Sequence, residues 1–270
     1  MSATSAASPA GPVREAGTAA VLRLRGVAIA RDEIPVVHDV SLDVAAGAVT
    51  VLLGANGAGK TTLMDGIAGL VRTTAGSIEL GDRPMRKLPV HKRARAGIGY
   101  VEQARTIFRT LTVEQNLLVA RAGAGDPDAV YRLFPELARR RTLQAGHLSG
   151  GEQQMLVLGR ALVTDPKVVL VDEMSLGLAP MVVHRLMRVV RELADEGLAV
   201  LLIEQFANLA LGVGTHAYVL RKGRIVHDGP CAELRGKPEL LHSYYFGGTA
   251  HATDPPGSAA EPARIGGGSR

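Results

Sequence analysis

Two short stretches carry residue types whose spacing suits phosphate chemistry. Gly54-Ala55-Asn56-Gly57-Ala58-Gly59-Lys60-Thr61 fits the pattern G-x-x-x-x-G-K-S/T in full, and Thr62 follows it. Glycines at such positions let the backbone curl until its N–H groups face inward, as phosphate oxygens require. A helix beginning near Lys60 adds the positive end of its dipole to the same point. The Lys60 ammonium then suits the β- and γ-phosphates of a nucleoside triphosphate, and the Thr61 hydroxyl suits Mg²⁺. The second stretch is Asp172-Glu173, carried at the end of the apolar run Val168–Val171. In an α/β fold that end of a strand faces the ligand crevice. Asp172 is the candidate Mg²⁺ ligand, directly or through water, and Glu173 the candidate general base for an attacking water. Alone, the acid pair would be an ordinary solvated strand end; a complete phosphate loop upstream makes it the other half of a site.

The elements around these stretches must place them. Val49–Leu53, Val168–Val171 and Leu198–Ile203 are apolar on both faces, which suits strands buried in a parallel sheet. Ala179–Glu196 repeats its apolar residues Val183, Leu186, Met187 and Val190 at i, i+3, i+4, i+7, the stripe of an amphipathic helix. Strand–helix–strand order argues for an α/β fold. Val21–Arg25 and Val40–Val44 instead alternate like antiparallel strands. Glu114–Arg141 is mainly helical, with breaks expected at Gly123–Pro127 and near Pro135. The expected organisation is a nucleotide-binding core over residues 21–248, an antiparallel β region at its start, and a helical lobe inserted at about 104–165. Residues 1–20 and 249–270 are rich in Gly, Pro, Ser and Ala and are expected to be disordered tails.

Composition narrows the function classes. With 46% hydrophobic residues, no Trp and 3% aromatics, the core of this 270-residue chain must be aliphatic. A net charge of +5 without a dense Lys/Arg run gives no footprint for nucleic acid. The single cysteine, Cys231, excludes an internal disulfide and a Cys-rich metal site. No apolar run approaches the roughly 18–20 residues that span a bilayer, and the start lacks the apolar stretch of a signal peptide. The expectation is a cytoplasmic protein that reaches a membrane only by docking on its inner face.

Between the two chemical stretches lies Leu148-Ser149-Gly150-Gly151-Glu152-Gln153-Gln154. It resembles the signature motif of ABC ATPases. The resemblance implies an ABC-type P-loop NTPase fold with ATP and Mg²⁺ as its nucleotide and metal. The Ser149 hydroxyl and the N–H groups of Gly150 and Gly151 would form a second phosphate cradle, serving ATP held by an opposite ATP-binding subunit, identical or sister. Gln103 falls at the family's glutamine-loop position, which touches Mg²⁺ and the attacking water and faces the membrane partner. Ser175–Leu178 falls in the loop that communicates across the dimer. Gln205 falls where most members place a switch histidine that senses the γ-phosphate. The phrases LSGGEQQML at Leu148–Leu156, SLGLAP at Ser175–Pro180 and IEQ at Ile203–Gln205 narrow the likeness to the ATPase subunits of branched-chain amino-acid importers. That subgroup implies transmembrane permease partners and, indirectly, an external substrate-binding protein.

The chain also departs from the family pattern. No aromatic residue lies in Val27–Val37, where the family places the ring that stacks on adenine. Arg31 stands at that position, and a guanidinium plane can stack on a base, or simply face solvent. Met174 replaces the usual Pro after Glu173, which is expected to leave that loop freer. Glu102 also stands where Pro is usual. Gln205 cannot titrate as His does, though its amide can still donate a hydrogen bond. Other ABC cargoes stay open, namely lipid export and amide or urea import. A DNA-organising member would separate the phosphate loop from the signature motif by a long coiled coil, and ribosome-associated members usually carry two cassettes.

Overall fold

The computed structural model describes residues 20–104, 106–121 and 125–247. The tails expected at 1–20 and 249–270 lie outside these residues, apart from Ala20, which opens the first strand. The chain runs β1 (Ala20–Arg31), β2 (Ile34–Ala45), β3 (Val49–Leu53), α1 (Lys60–Ala68), β4 (Thr73–Leu80), β5 (Arg83–Pro84), α2 (Val90–Ala96) and β6 (Ile98–Val101). The helical lobe follows as α3 (Val113–Ala120), α4 (Pro127–Leu133), α5 (Pro135–Ala138) and α6 (Gly150–Leu162). The core resumes with β7 (Val168–Asp172), α7 (Pro180–Asp195), β8 (Ala199–Ile203), α8 (Ala207–Val213), β9 (His216–Arg221) and β10 (Arg224–Pro230). It closes with α9 (Cys231–Leu234) and α10 (Pro238–Phe246).

Two sheets result. One is antiparallel, in the order β2-β1-β4-β5, with Leu22 opposite Val44 and Leu24 opposite Leu42. The other runs β10-β9-β3-β8-β7-β6; it is parallel throughout except for β10, which pairs antiparallel with β9 at the edge. The central strands are apolar on both faces because both faces are covered. Val49, Val51 and Leu53 of β3 enter a core shared with the helical lobe, α6 and α7. Leu52 enters a second core with β1, β2 and Leu63, Met64 and Ile67 of α1. β7 divides in the same way, Val169 and Val171 to one side and Val168 and Leu170 to the other. Helix α7 buries Val183, Leu186, Met187 and Val190, the stripe read from its spacing.

Helix α1 must stay fixed, because it delivers Lys60 and Thr61. Its last turn leaves carbonyls without partners inside the helix. Arg93 of α2, only 3% exposed, supplies them. Its Nη1 donates to the carbonyls of Gly66 (2.7 Å) and Ile67 (2.8 Å), while Nε and Nη2 hold Leu88 and Arg86. A buried guanidinium with four carbonyl partners is well satisfied; truncating it would strip several at once.

Candidate nucleotide site

The phosphate loop leaves β3 at Gly54. A Cβ added there would lie 2.3 Å from the Leu220 carbonyl oxygen, so only glycine lets the loop pass β9. The β9–β10 turn clamps the loop further. The Gly223 N–H donates to the Ala58 carbonyl at 2.9 Å, and the Gly223 carbonyl accepts from His38 of β2 at 2.7 Å. Gly59, at φ 104°, starts α1 with no side-chain cap, so the first N–H groups of the helix are left for an anion. Lys60 is 6% exposed and folds back to donate to the carbonyls of Gly54 (2.9 Å) and Ala55 (3.2 Å). Burial lowers its pKa, and Glu173 and Asp172 pull the other way. A cavity of about 520 Å³ lies beside the loop, walled by Asn56, Gly57, Arg221, Lys222 and Tyr245 among others.

The acid pair sits at the end of β7, where Asp172 is in register with Ile203 of β8. Asp172 is wholly buried, and neither carboxylate oxygen has a hydrogen bond of ordinary geometry. Burial pushes its carboxyl up to about 6; the Thr61 hydroxyl approaches closely enough to oppose that shift, and Glu173 adds to it. A buried carboxylate with two unpartnered oxygens beside a threonine hydroxyl fits a hard divalent cation such as Mg²⁺. Glu173 adopts φ 45°, the left-handed region, which is costly for a residue with a Cβ. Its N–H donates to the Ile203 carbonyl at 3.0 Å, and its Oε2 accepts from Gln103 Nε2 at 2.8 Å. Lys60, Thr61, Asp172, Glu173 and Gln103 are thus drawn together, although the chain separates Gln103 from Glu173 by 70 residues.

The other sequence candidates sit differently. Gln205 is exposed on the loop after β8, two residues beyond Ile203, the partner of Asp172. Ser149 caps α6 in a reciprocal box: its Oγ accepts from the Glu152 N–H at 3.3 Å, and its own N–H donates to Glu152 Oε2 at 2.8 Å. Gly150 begins that helix, and a Cβ on Gly151 would press on Val182 of α7 at 2.8 Å. Arg31, at the end of β1, is engaged in an ion pair with Asp65 of α1, and Asp65 also accepts from the Tyr100 hydroxyl at 3.1 Å. The guanidinium stays about half exposed.

Met174 corrects one expectation. It is 1% exposed and packed in the lobe-side core, so the loop after Glu173 is anchored by burial where a proline ring would have stiffened it. Cys231 is buried as well, and its thiol is pushed up to about 11 by that burial, which leaves it an inert packing group. Sequence reasoning passed over Glu204. It is 2% exposed, and it holds Ser175 through both carboxylate oxygens. The available signal was an acid set directly after an apolar strand in Ile203-Glu204-Gln205.

Comparison with known proteins agrees with this geometry. Residues 37–175 match the family described as ABC transporter. The chain is 41% identical over 221 residues to the high-affinity branched-chain amino acid transport ATP-binding protein BraG of Pseudomonas aeruginosa, covering 80% of this chain and 95% of that protein. It is 37% identical over 236 residues to the lipopolysaccharide export system ATP-binding protein LptB of Escherichia coli K12, covering 84% and 98%. Its fold superposes on the ADP conformation of MJ1267, an ATP-binding cassette of an ABC transporter, with a TM-score of 0.74 at 25% identity, covering 84% of this chain and 99% of that one. A match over half the chain, and relatives nearly spanned by it, lead to one conclusion: this protein belongs to the ABC transporter family, as an ATP-binding subunit.

Proposed function

We propose that this chain binds Mg·ATP at the Gly54–Thr62 loop and hydrolyses it, powering uptake of amino acids, the branched-chain kind foremost, through partner membrane subunits. The observation that carries the hydrolytic reading is the convergence of Lys60, Asp172, Glu173 and Gln103, with neither Asp172 oxygen in a hydrogen bond of ordinary geometry. Backbone N–H groups of the loop and the uncapped start of α1 bind the phosphates, and Lys60 swings from the Gly54 and Ala55 carbonyls to the β- and γ-phosphates. Thr61, Asp172 and Gln103 would hold Mg²⁺, which when bound neutralises charge on the phosphate oxygens. Glu173 takes a proton from water; the water oxygen bonds to the γ-phosphorus as the bond to the β–γ bridging oxygen breaks, leaving ADP and phosphate. Gln103 holds the Glu173 carboxylate by its 2.8 Å hydrogen bond, and Gln205 donates its amide to the γ-phosphate. Arg31 presents its guanidinium face to the adenine.

The Ser149-Gly150-Gly151 turn serves ATP on a second ATP-binding subunit, a sister or an identical copy, so two ATPs are enclosed head to tail. No helix among the described residues is long and apolar enough to cross a membrane. Membership of the ABC transporter family supports a place on the inner face of the cell membrane, docked to transmembrane permeases that receive cargo from an external binding protein. The likeness to BraG supports the amino-acid cargo. The likeness to LptB, nearly as extensive, supports lipid export as the second reading.

The test is direct. The wild-type chain and Glu173→Gln are purified and run on a sizing column with and without Mg·ATP. ATP-dependent dimerisation of Glu173→Gln, with slow hydrolysis by the wild type, supports both the enclosed ATP pair and the role of Glu173. Failure of both to bind ATP would overturn the reading. Uptake of labelled leucine, compared before and after deletion of the gene, then separates import from export.

A further inference from the structure

The loop after Glu173 and the loop carrying Gln205 leave adjacent strands, β7 and β8, and a single buried side chain joins them. Glu204 Oε1 accepts from the Ser175 N–H at 3.2 Å and Oε2 from the Ser175 hydroxyl at 2.5 Å. Both residues are almost fully buried, at 2% and 4% exposure. The Gln205 N–H also favours the ionised form of Glu204, so this one carboxylate addresses both loops. Glu173 lies just inside the connection. Its N–H is tied to Ile203, Met174 is buried, and Ser175 is tied to Glu204, so the left-handed turn at Glu173 is held on both sides.

A buried carboxylate facing another carboxylate is a poor device for stability. Burial raises the Glu204 pKa, hydrogen bonds from Ser175 oppose the shift, and Glu173 adds to it. Apolar residues of similar volume would fill such a place at lower cost. What the carboxylate supplies is direction: two acceptors fix the angle of one loop relative to the other.

We propose that Glu204 is a positioning residue, acting through Ser175 to lock the Glu173 loop to the Gln205 loop, so that base and γ-phosphate contact are set as one unit. The inference rests on the ATPase reading above and deepens it. A tie of this kind acts on alignment in the transition state more than on ground-state nucleotide binding.

The experiment uses the full chain as wild type, Ser175→Ala, Glu204→Ala, Glu204→Gln and the double alanine variant. ATPase kcat and KM are measured together with amide hydrogen exchange at residues 173–178 and 205. Each alanine variant lowers kcat by roughly tenfold and leaves KM for ATP within about twofold. The double variant is no worse than the weaker single, because both remove one interaction. Glu204→Gln recovers kcat to within about threefold of wild type, since its amide accepts from the Ser175 N–H and donates to the hydroxyl. Exchange rises at both loops together in the alanine variants. Wild-type kcat in Ser175→Ala, losses that multiply in the double variant, or exchange rising at one loop alone would each overturn the proposal. If Glu204→Ala does not fold, Ser175→Ala and Glu204→Gln carry the same test. An inactive wild type would count against the ATPase reading, and the exchange arm would still decide whether the two loops are locked.

Discussion

The phosphate loop and the Ser149 turn are both glycine-bearing entries to a helix, yet they are left in opposite states. At Gly59 the helix has no side-chain cap, Lys60 borrows backbone carbonyls, and neither oxygen of the nearby Asp172 has a hydrogen bond of ordinary geometry. At Ser149 the helix is already closed by a reciprocal cap with Glu152, itself within 3.5 Å of Arg140. The first region presents uncapped helix N–H groups and a buried carboxylate, groups suited to an anion and a cation. The second is closed by its own residues, since the Glu152 carboxylate engages both the N–H and the hydroxyl of Ser149. The contrast fits a chain that binds nucleotide by its own loop and lends its second turn to another subunit.

Four substitutions can break or sharpen that contrast. The largest effect belongs to Lys60→Ala, which removes the only side-chain cation of the loop and should weaken ATP binding by ~100-fold or more, read by calorimetry. Glu173→Gln should leave binding within about twofold and slow turnover by ~100-fold or more in a steady-state assay. Ser149→Ala should leave ATP binding by the single chain unchanged, reduce ATP-driven dimerisation by roughly tenfold on a sizing column, and cost about 1 kcal/mol of stability through the lost cap. If Ser149→Ala weakens binding as Lys60→Ala does, the two regions are not separate. Smallest is Arg31→Tyr, which exchanges a partly buried ion pair for a ring and should tighten ATP by about threefold, with ADP and GTP affinities as controls.

The buried Asp172 also gives a pH signature. Its folded pKa, about 6, lies above its ordinary value of 3.8. The folded state therefore keeps the proton longer than the unfolded state. Stability without metal should fall as pH rises from about 4 to about 6, by at most ~3 kcal/mol. Asp172→Asn should raise the Tm of the metal-free protein at pH 7 by several degrees while removing Mg²⁺-dependent ATPase activity. A pH-independent difference between wild type and variant over that window would show that Asp172 is paired after all.

What could be read ahead of the structure depended on distance along the chain. The phosphate loop, the apolar strands and the α7 stripe are local patterns whose physics is complete within about a dozen residues. A place for Gln103 near the metal and the water came only through resemblance, and its hydrogen bond to Glu173 was not foreseen, because β6 and β7 must pair before the two meet. Arg93 under α1, Arg31 with Asp65, and Glu204 with Ser175 were not legible at all. Each joins a charge to a partner more than twenty residues away, and nothing in either segment alone names the other. Met174 was misjudged for a related reason: the missing proline could be seen, but the pocket that anchors its replacement could not.

The left-handed backbone at Glu173 bears on how this protein could be engineered. That conformation costs a residue with a Cβ on the order of 1–3 kcal/mol, and glycine or asparagine would adopt it more cheaply. A library screened only for heat tolerance should therefore enrich changes at this position, and the winners would be inert. Any selection for robustness here has to be run against a second selection for turnover, because the chain holds its proposed general base in a posture it would gain by abandoning.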